Sequence, residues 1–259
     1  MCVLAFAWRA HPRWRLVVAG NRDELHARPA AALARWNRPD HVLAGRDLQS
    51  GGTWLGVSGQ GRFAVVTNLR GYDAPEPGRT SRGMLVADVL AGEGRYADPV
   101  QAEPGDFNPF NLIFANADEA RFLSNRPEPT NILLAPGLYG LSNGGLDEPW
   151  PKTLQLKALL LDWLGREAGP DALLDDLRRD VLPDVGLREA APSDVWLEPP
   201  LSPIFIRNPA YGTRCSTVVA IDDQGRGVIV ERRYTPAAGI AGETHLGFRW
   251  PAWQETRDA

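Results

Sequence analysis

Cysteine is nearly absent from this chain: 259 residues carry two, Cys2 and Cys215. So few cannot build a disulfide framework, and a bridge between them is disfavoured in a reducing compartment, so both are expected to be thiols in a cytoplasmic protein. Histidine is also scarce. The four are spread as His11, His26, His41 and His245, with no H-x-H or H-E-x-x-H spacing and no C-x-x-C elsewhere. That excludes the usual zinc patterns, and no metal ligand set is assigned. No apolar run approaches the ~20 residues of a membrane span. There is no excess of positive charge: 28 Lys and Arg stand against 32 Asp and Glu, a net charge of -4. A nucleic acid or an anionic membrane surface is therefore not an expected partner. The glycine-rich "GVSGQG" (56–61) precedes a strand instead of joining a strand to a helix, and no "GKS" or "GKT" occurs, so a nucleotide cradle is not expected either. The apolar start ends at Arg9 and lacks a basic leader, unlike a secretory signal.

What is present is the composition of a soluble globular protein, 44% apolar and 23% charged. No Pro/Gly/Ser linker and no internal repeat divides it, so one domain over 1–259 is expected. "CVLAFAW" and "RLVVAGN" read as paired strands, followed by "GTWLGVS" and "GRFAVVTN" around a tight turn. "ELHARPAAALARWNRPD" reads as surface loop. "SRGMLVADVLAG" has a helix-starting Ser and a helix-stopping Gly, and "PKTLQLKALLLDWLG" has Pro151 and Gly165 in the same roles. "DALLDDLRRDVLP" predicts another helix running to Pro183. Between these lie strand-like "NLIFANA", "ARFLSN" and "ILLAPGLYGLSN". Residues 183–213 read as proline-rich loop, and "CSTVVAI", "GVIVERRY" and "HLGFRW" as closing strands. The hairpin-length connections favour antiparallel sheets covered by helices.

Two nucleophiles come forward. "GLSNG" (140–144) matches the G-x-S-x-G elbow, with Asp222, Asp223 and His245 downstream, but the helix that should follow Ser142 at once is predicted several residues late. Cys2 is the stronger candidate. Removal of Met1 would leave a thiol nucleophile and an α-amine base on one residue. Such a site needs a cation, a carboxylate and donors for an oxyanion. If the first two strands form a hairpin, the end of the second, "GNRDE", brings Arg22 and Asp23 beside Cys2. A solvated turn with a local ion pair is the alternative reading of that motif. Cys215 reads as a small buried residue on a strand, and Trp54 equally as a core or pocket-wall aromatic or as a substrate-binding platform.

The initial "MC", "GNRDE", "GGTWLGV", "VVTN", "LSN…PWPK" and "TRCSTV", in this order from Cys2 to about residue 234, resemble the NRDE family, the Transport and Golgi Organisation protein two family. The resemblance implies a branch of the N-terminal-nucleophile hydrolases: an α+β, four-layer αββα sandwich with two antiparallel sheets between helical layers. It implies kinship with choloylglycine hydrolases and penicillin V acylases, which cleave linear non-peptide amides. By that similarity Cys2 is the nucleophile, Arg22 and Asp23 flank it, Asn68 lies near the substrate carbonyl, Asn143 serves the oxyanion hole and Arg214 is a late active-site cation. In the acylases the Arg and Asp are separated, whereas here they are adjacent, so Asn21 or Glu24 could take part instead, and Asn21 is expected to contact the substrate. The implied activity is hydrolysis of a linear amide or related thioester without a cofactor. The alternative it implies is binding and trafficking of haem, acyl-CoA or lipid in the same cleft. Loops 25–41, 71–80 and 183–213 are expected to shape that cleft.

Overall fold

The computed structural model describes residues 2–72, 74–166, 168–188, 192–193 and 197–251. Met1, on which the processing expectation rests, lies outside them. In chain order the elements are β1 (Cys2–His11), β2 (Trp14–Leu25), β3 (Ala30–Arg35), β4 (Val42–Asp47), β5 (Leu55–Ser58) and β6 (Arg62–Asn68), then α1 (Arg82–Ala91). They continue with β7 (Phe110–Ala115), β8 (Ala120–Ser124), β9 (Thr130–Leu133) and β10 (Gly137–Leu141), then α2 (Pro151–Leu164) and α3 (Asp171–Asp176). The chain closes with β11 (Tyr211–Asp222), β12 (Arg226–Tyr234) and β13 (Ile240–Arg249).

The strands form two antiparallel sheets. One has the order β10-β1-β2-β11-β12-β13 and the other runs from β3 to β9 in sequence order. Side-chain alternation along each strand decides the layering. On β1, Leu4, Phe6 and Trp8 point at the second sheet and join Phe63, Val65 and Ile113 in the core between the sheets. Val3, Ala5 and Ala7 point the other way and pack on Leu156, Leu160 and Trp163 of α2. On the far side of the second sheet, Leu85, Val86 and Leu90 of α1 cover Val42, Ala64 and Leu112. The result is the αββα sandwich. Truncating a buried leucine in the inter-sheet core is expected to cost about 2–5 kcal/mol.

α1 and α2 form where the sequence places them, α2 with Pro151 in its first turn and Gly165 at its end. The Ser81 side chain accepts from the Gly83 N–H, and Gly92 stops α1 in the left-handed conformation at φ 71°. Three expectations need correction. Residues 30–35 are an edge strand, not loop: β3 pairs with β4, and Leu33 is its one buried side chain. The alanine run there has little strand propensity, and tertiary pairing supplies the order. The helix expected to reach Pro183 ends at Asp176. The Leu177 carbonyl is taken by the Asn21 side chain at 2.9 Å, and Val181 is left exposed. Residues 197–206, within the expected cleft-forming loop, instead run over the helix-side face of the first sheet. There Ile204 joins the α2 core and the Arg179 carbonyl accepts from Phe205 N–H.

Candidate active site

Strand register builds the site. Cys2 stands opposite Arg22, Arg22 opposite Cys215, and Cys215 opposite Arg233. These four residues form a row across β1, β2, β11 and β12, on the face turned to the second sheet and at the end where β1 starts. A cavity of about 630 Å³ lies against that row, and Trp54 and Asn68 contribute to its opposite wall. Trp54 also packs on the inter-sheet core, so it serves as core and cavity wall together.

Cys2 is held from its main chain. Its N–H donates to Asn143 Oδ1 at 3.4 Å, and its carbonyl accepts from Ser142 Oγ at 2.8 Å. Asn143 Nδ2 donates to the Asn68 carbonyl at 2.8 Å, and the Asn143 carbonyl accepts from Arg70 N–H; the expectation that Asn143 serves the oxyanion hole is corrected, because its amide is committed at both ends to main-chain groups. The pairing of β10 with β1 explains this: Leu141 lies opposite Leu4, so the two following residues reach the level of Cys2. The thiol is buried, and burial pushes it up to about 11, so it is protonated at neutral pH as it stands. Cys215 is likewise buried, a free thiol raised by burial. Two inter-strand steps, about 10 Å, separate it from Cys2, beyond disulfide reach.

Adjacent residues on a strand face opposite ways, and this resolves the "NRDE" stretch. Arg22 shares the face of Cys2 and pairs with Glu24, Nη2 to Oε2 3.7 Å. Asp23 turns to the helix side, where Thr213 Oγ1 donates to its Oδ1 at 2.6 Å. Continuing the hairpin register one step past the Cys2–Arg22 pair brings Asp23 level with the main-chain nitrogen of Cys2, not with its sulfur. Asn21 lies on the same far face and is fully buried, its Nδ2 donating to the Leu177 and Ile204 carbonyls and its Oδ1 accepting from Ser216 Oγ. The expectation that Asn21 binds substrate is therefore corrected: it ties the 177–204 region to the sheet. Arg214 is the extra residue of a bulge between Thr213 and Cys215, which turns it to the cavity rim, where Nη1 donates to the Leu25 and Arg28 carbonyls at 2.8 and 3.0 Å.

The serine-elbow alternative fails. Ser142 is buried and committed to the Cys2 carbonyl, α2 starts only at Pro151, and exposed His245 sits on β13 bonded to Glu243 at 2.6 Å.

Three buried charged residues are not picked out as site residues by the sequence, although Lys152 closes "PWPK". Behind Asp23, on the helix side, Lys152 is buried at the start of α2, donates to Ser202 Oγ at 3.2 Å, and is pulled down to about 8 by burial. Beside it Arg70 is buried against Glu198 and the Pro199 and Pro200 carbonyls. On the cavity side, buried Glu231 accepts from Leu33 N–H at 2.8 Å. Lysines and glutamates at such positions read as solvated until the tertiary fold closes over them. No helix among the described residues is long and apolar enough to cross a membrane.

Comparison with known proteins agrees with this architecture. The family described as Transport and Golgi organisation 2 matches residues 1–236. The chain is 37% identical to the Bos taurus Transport and Golgi organization protein 2 homolog, over 90% of this chain and 92% of that protein. It is 34% identical to the Homo sapiens homolog with the same coverage. Among solved structures, a Caenorhabditis elegans N-acylethanolamine-hydrolyzing acid amidase ortholog superposes with a TM-score of 0.50 at 12% identity, covering 84% of this chain and 92% of that one. This last likeness is one of fold, that of the N-terminal-nucleophile hydrolases.

Proposed function

The chain belongs to the Transport and Golgi organisation 2 family, and from that membership, its fold and the geometry of its cleft we propose that it is a cysteine amidohydrolase acting through Cys2. The observation that carries the reading is the coincidence of Cys2 with Arg22 on the cavity floor and with Asp23 and Asn143 at its main-chain nitrogen. With Met1 removed, the α-amine takes the thiol proton, and Arg22 and the new ammonium lower the cost of the thiolate. Sulfur attacks the carbonyl carbon of an amide or thioester. Asn68, on the cavity wall, donates to the oxyanion while Asn143 positions the amine. The carbon–nitrogen bond of the amide, or the carbon–sulfur bond of the thioester, breaks, the leaving nitrogen or sulfur takes the proton from the ammonium, and an acyl-cysteine remains. Water, deprotonated by the same amine, then attacks the acyl carbon and releases the acid and the thiol. Asp23 orients the amine throughout.

Protonation of the buried thiol favours a second reading, an acyl-ligand carrier without turnover. Haem suits the cavity less well: no histidine among the described residues lines it, and both thiols on its floor are held protonated by burial. Turnover of a panel of N-acyl amides and acyl thioesters separates the readings. Hydrolysis that is lost in Cys2→Ser supports the hydrolase. Tight stoichiometric binding without hydrolysis in either protein supports the carrier.

A further inference from the structure

The row on the cavity floor does not end at Cys215. Its fourth member, Arg233, lies three inter-strand steps from Cys2, about 14 Å at the usual strand spacing. The cations near Cys2 already have partners: Arg22 has Glu24, Arg28 has Asp47 at 2.6 Å, and Arg214 holds two carbonyls. Arg233 differs. Among the described residues no carboxylate lies within ion-pair distance of it and no acceptor takes its guanidinium protons; its charge favours the ionised form of the Glu231 carboxyl without direct contact. Glu231, two residues before it on the same face, turns its carboxylate to the Leu33 N–H and the Gly45 backbone, inside the wall between the sheets.

The surroundings leave this end open. Ala30, Ala31 and Gly45 face it from β3 and β4, and Ala241 adjoins it on β13. Gly242, opposite Arg233 in register, makes room for the guanidinium: a Cβ there would lie 2.4 Å from Arg233 Nη2. A half-buried guanidinium beside a cavity walled by small side chains is completed by an anion, which it meets with two parallel N–H donors.

We propose that Arg233 anchors a negatively charged group at the far end of the substrate, so that the cleft selects acyl chains ending in a carboxylate or comparable anion three to four inter-strand steps, about 14–19 Å, from the carbonyl presented to Cys2, the guanidinium leaning over Gly242 of β13. The scissile end of this assignment rests on the reading of Cys2 as nucleophile, whereas the anchor is read by binding alone.

The test uses full-length Cys2→Ser protein and mono-anilides of straight-chain dicarboxylic acids of graded length, each compared with its methyl ester by titration calorimetry. The free acid is expected to bind about tenfold tighter than its ester at the chain length that spans the row, and at shorter lengths to lose that advantage. Cys2→Ser/Arg233→Gln should erase the difference, and Cys2→Ser/Arg233→Lys, which keeps the charge without the fork, should retain part of it. Equal binding of acid and ester, a preference independent of chain length, or a preference surviving Arg233→Gln would overturn the proposal. Anilide hydrolysis by the Cys2 protein is scored separately: Arg233-dependent binding without hydrolysis leaves the anchor standing and removes the hydrolase reading.

Discussion

Asp23 and Lys152 are ionisable groups held inside the protein behind the nucleophile, and burial works against both. It raises the Asp23 carboxyl above its ordinary 3.8 and lowers Lys152 from 10.5 to about 8. Such an arrangement costs stability near neutral pH, as buried charges do in functional sites and in structural ion pairs alike. Folded Lys152 releases its proton near pH 8 and the unfolded chain only near 10.5, so between these values the unfolded state holds more protons. Its contribution to stability therefore rises with pH across that window. The Tm of the wild type relative to Lys152→Met is expected to climb between pH 8 and 10, and parallel curves would show that the lysine is not depressed. Of these residues, Cys2 and Arg22 were legible in the sequence because a hairpin fixes their register. Lys152 was not, because its burial depends on residues 197–206, which reach it from fifty positions away.

Secondary structure elements carry the site only where the chain is pinned. The "GGTW" stretch shows how closely: a Cβ on Gly52 would stand 2.2 Å from the Gly83 carbonyl carbon, so α1 rests directly on this loop. Gly51 adds the turn, at φ 79°. Asn21 is a pin of another kind, satisfying two main-chain carbonyls and a hydroxyl. Asn21→Leu is expected to cost about 2–4 kcal/mol of unfolding free energy, measured by urea denaturation, because it strands buried acceptors. A loss near zero would return Asn21 to the candidates for substrate contact. α1 and α2 were readable from caps and apolar spacing. β3 and the early end of α3 were not, since one depends on an edge pairing and the other on a side chain arriving from β2.

At the scale of the whole molecule, the alternation of strands and helices fixed the class, and the resemblance supplied the four layers. The course of residues 197–206 could not be foreseen: the Pro199, Pro200 and Ile204 carbonyls go to Arg70 and Asn21, so these residues brace the back of the first sheet instead of roofing the cleft. The cleft opens where β1 and β11 start and β2 ends, which places Cys2 on the floor of the cavity. The most direct measurement is mass spectrometry of the purified protein after brief exposure to an activated acyl ester, followed by peptide mapping. The expected result is a chain beginning at Cys2 with one acyl group on that residue, absent from Cys2→Ser. A chain that retains Met1 and carries no acyl group, or carries it on Cys215 alone, would contradict the assignment of Cys2 as nucleophile.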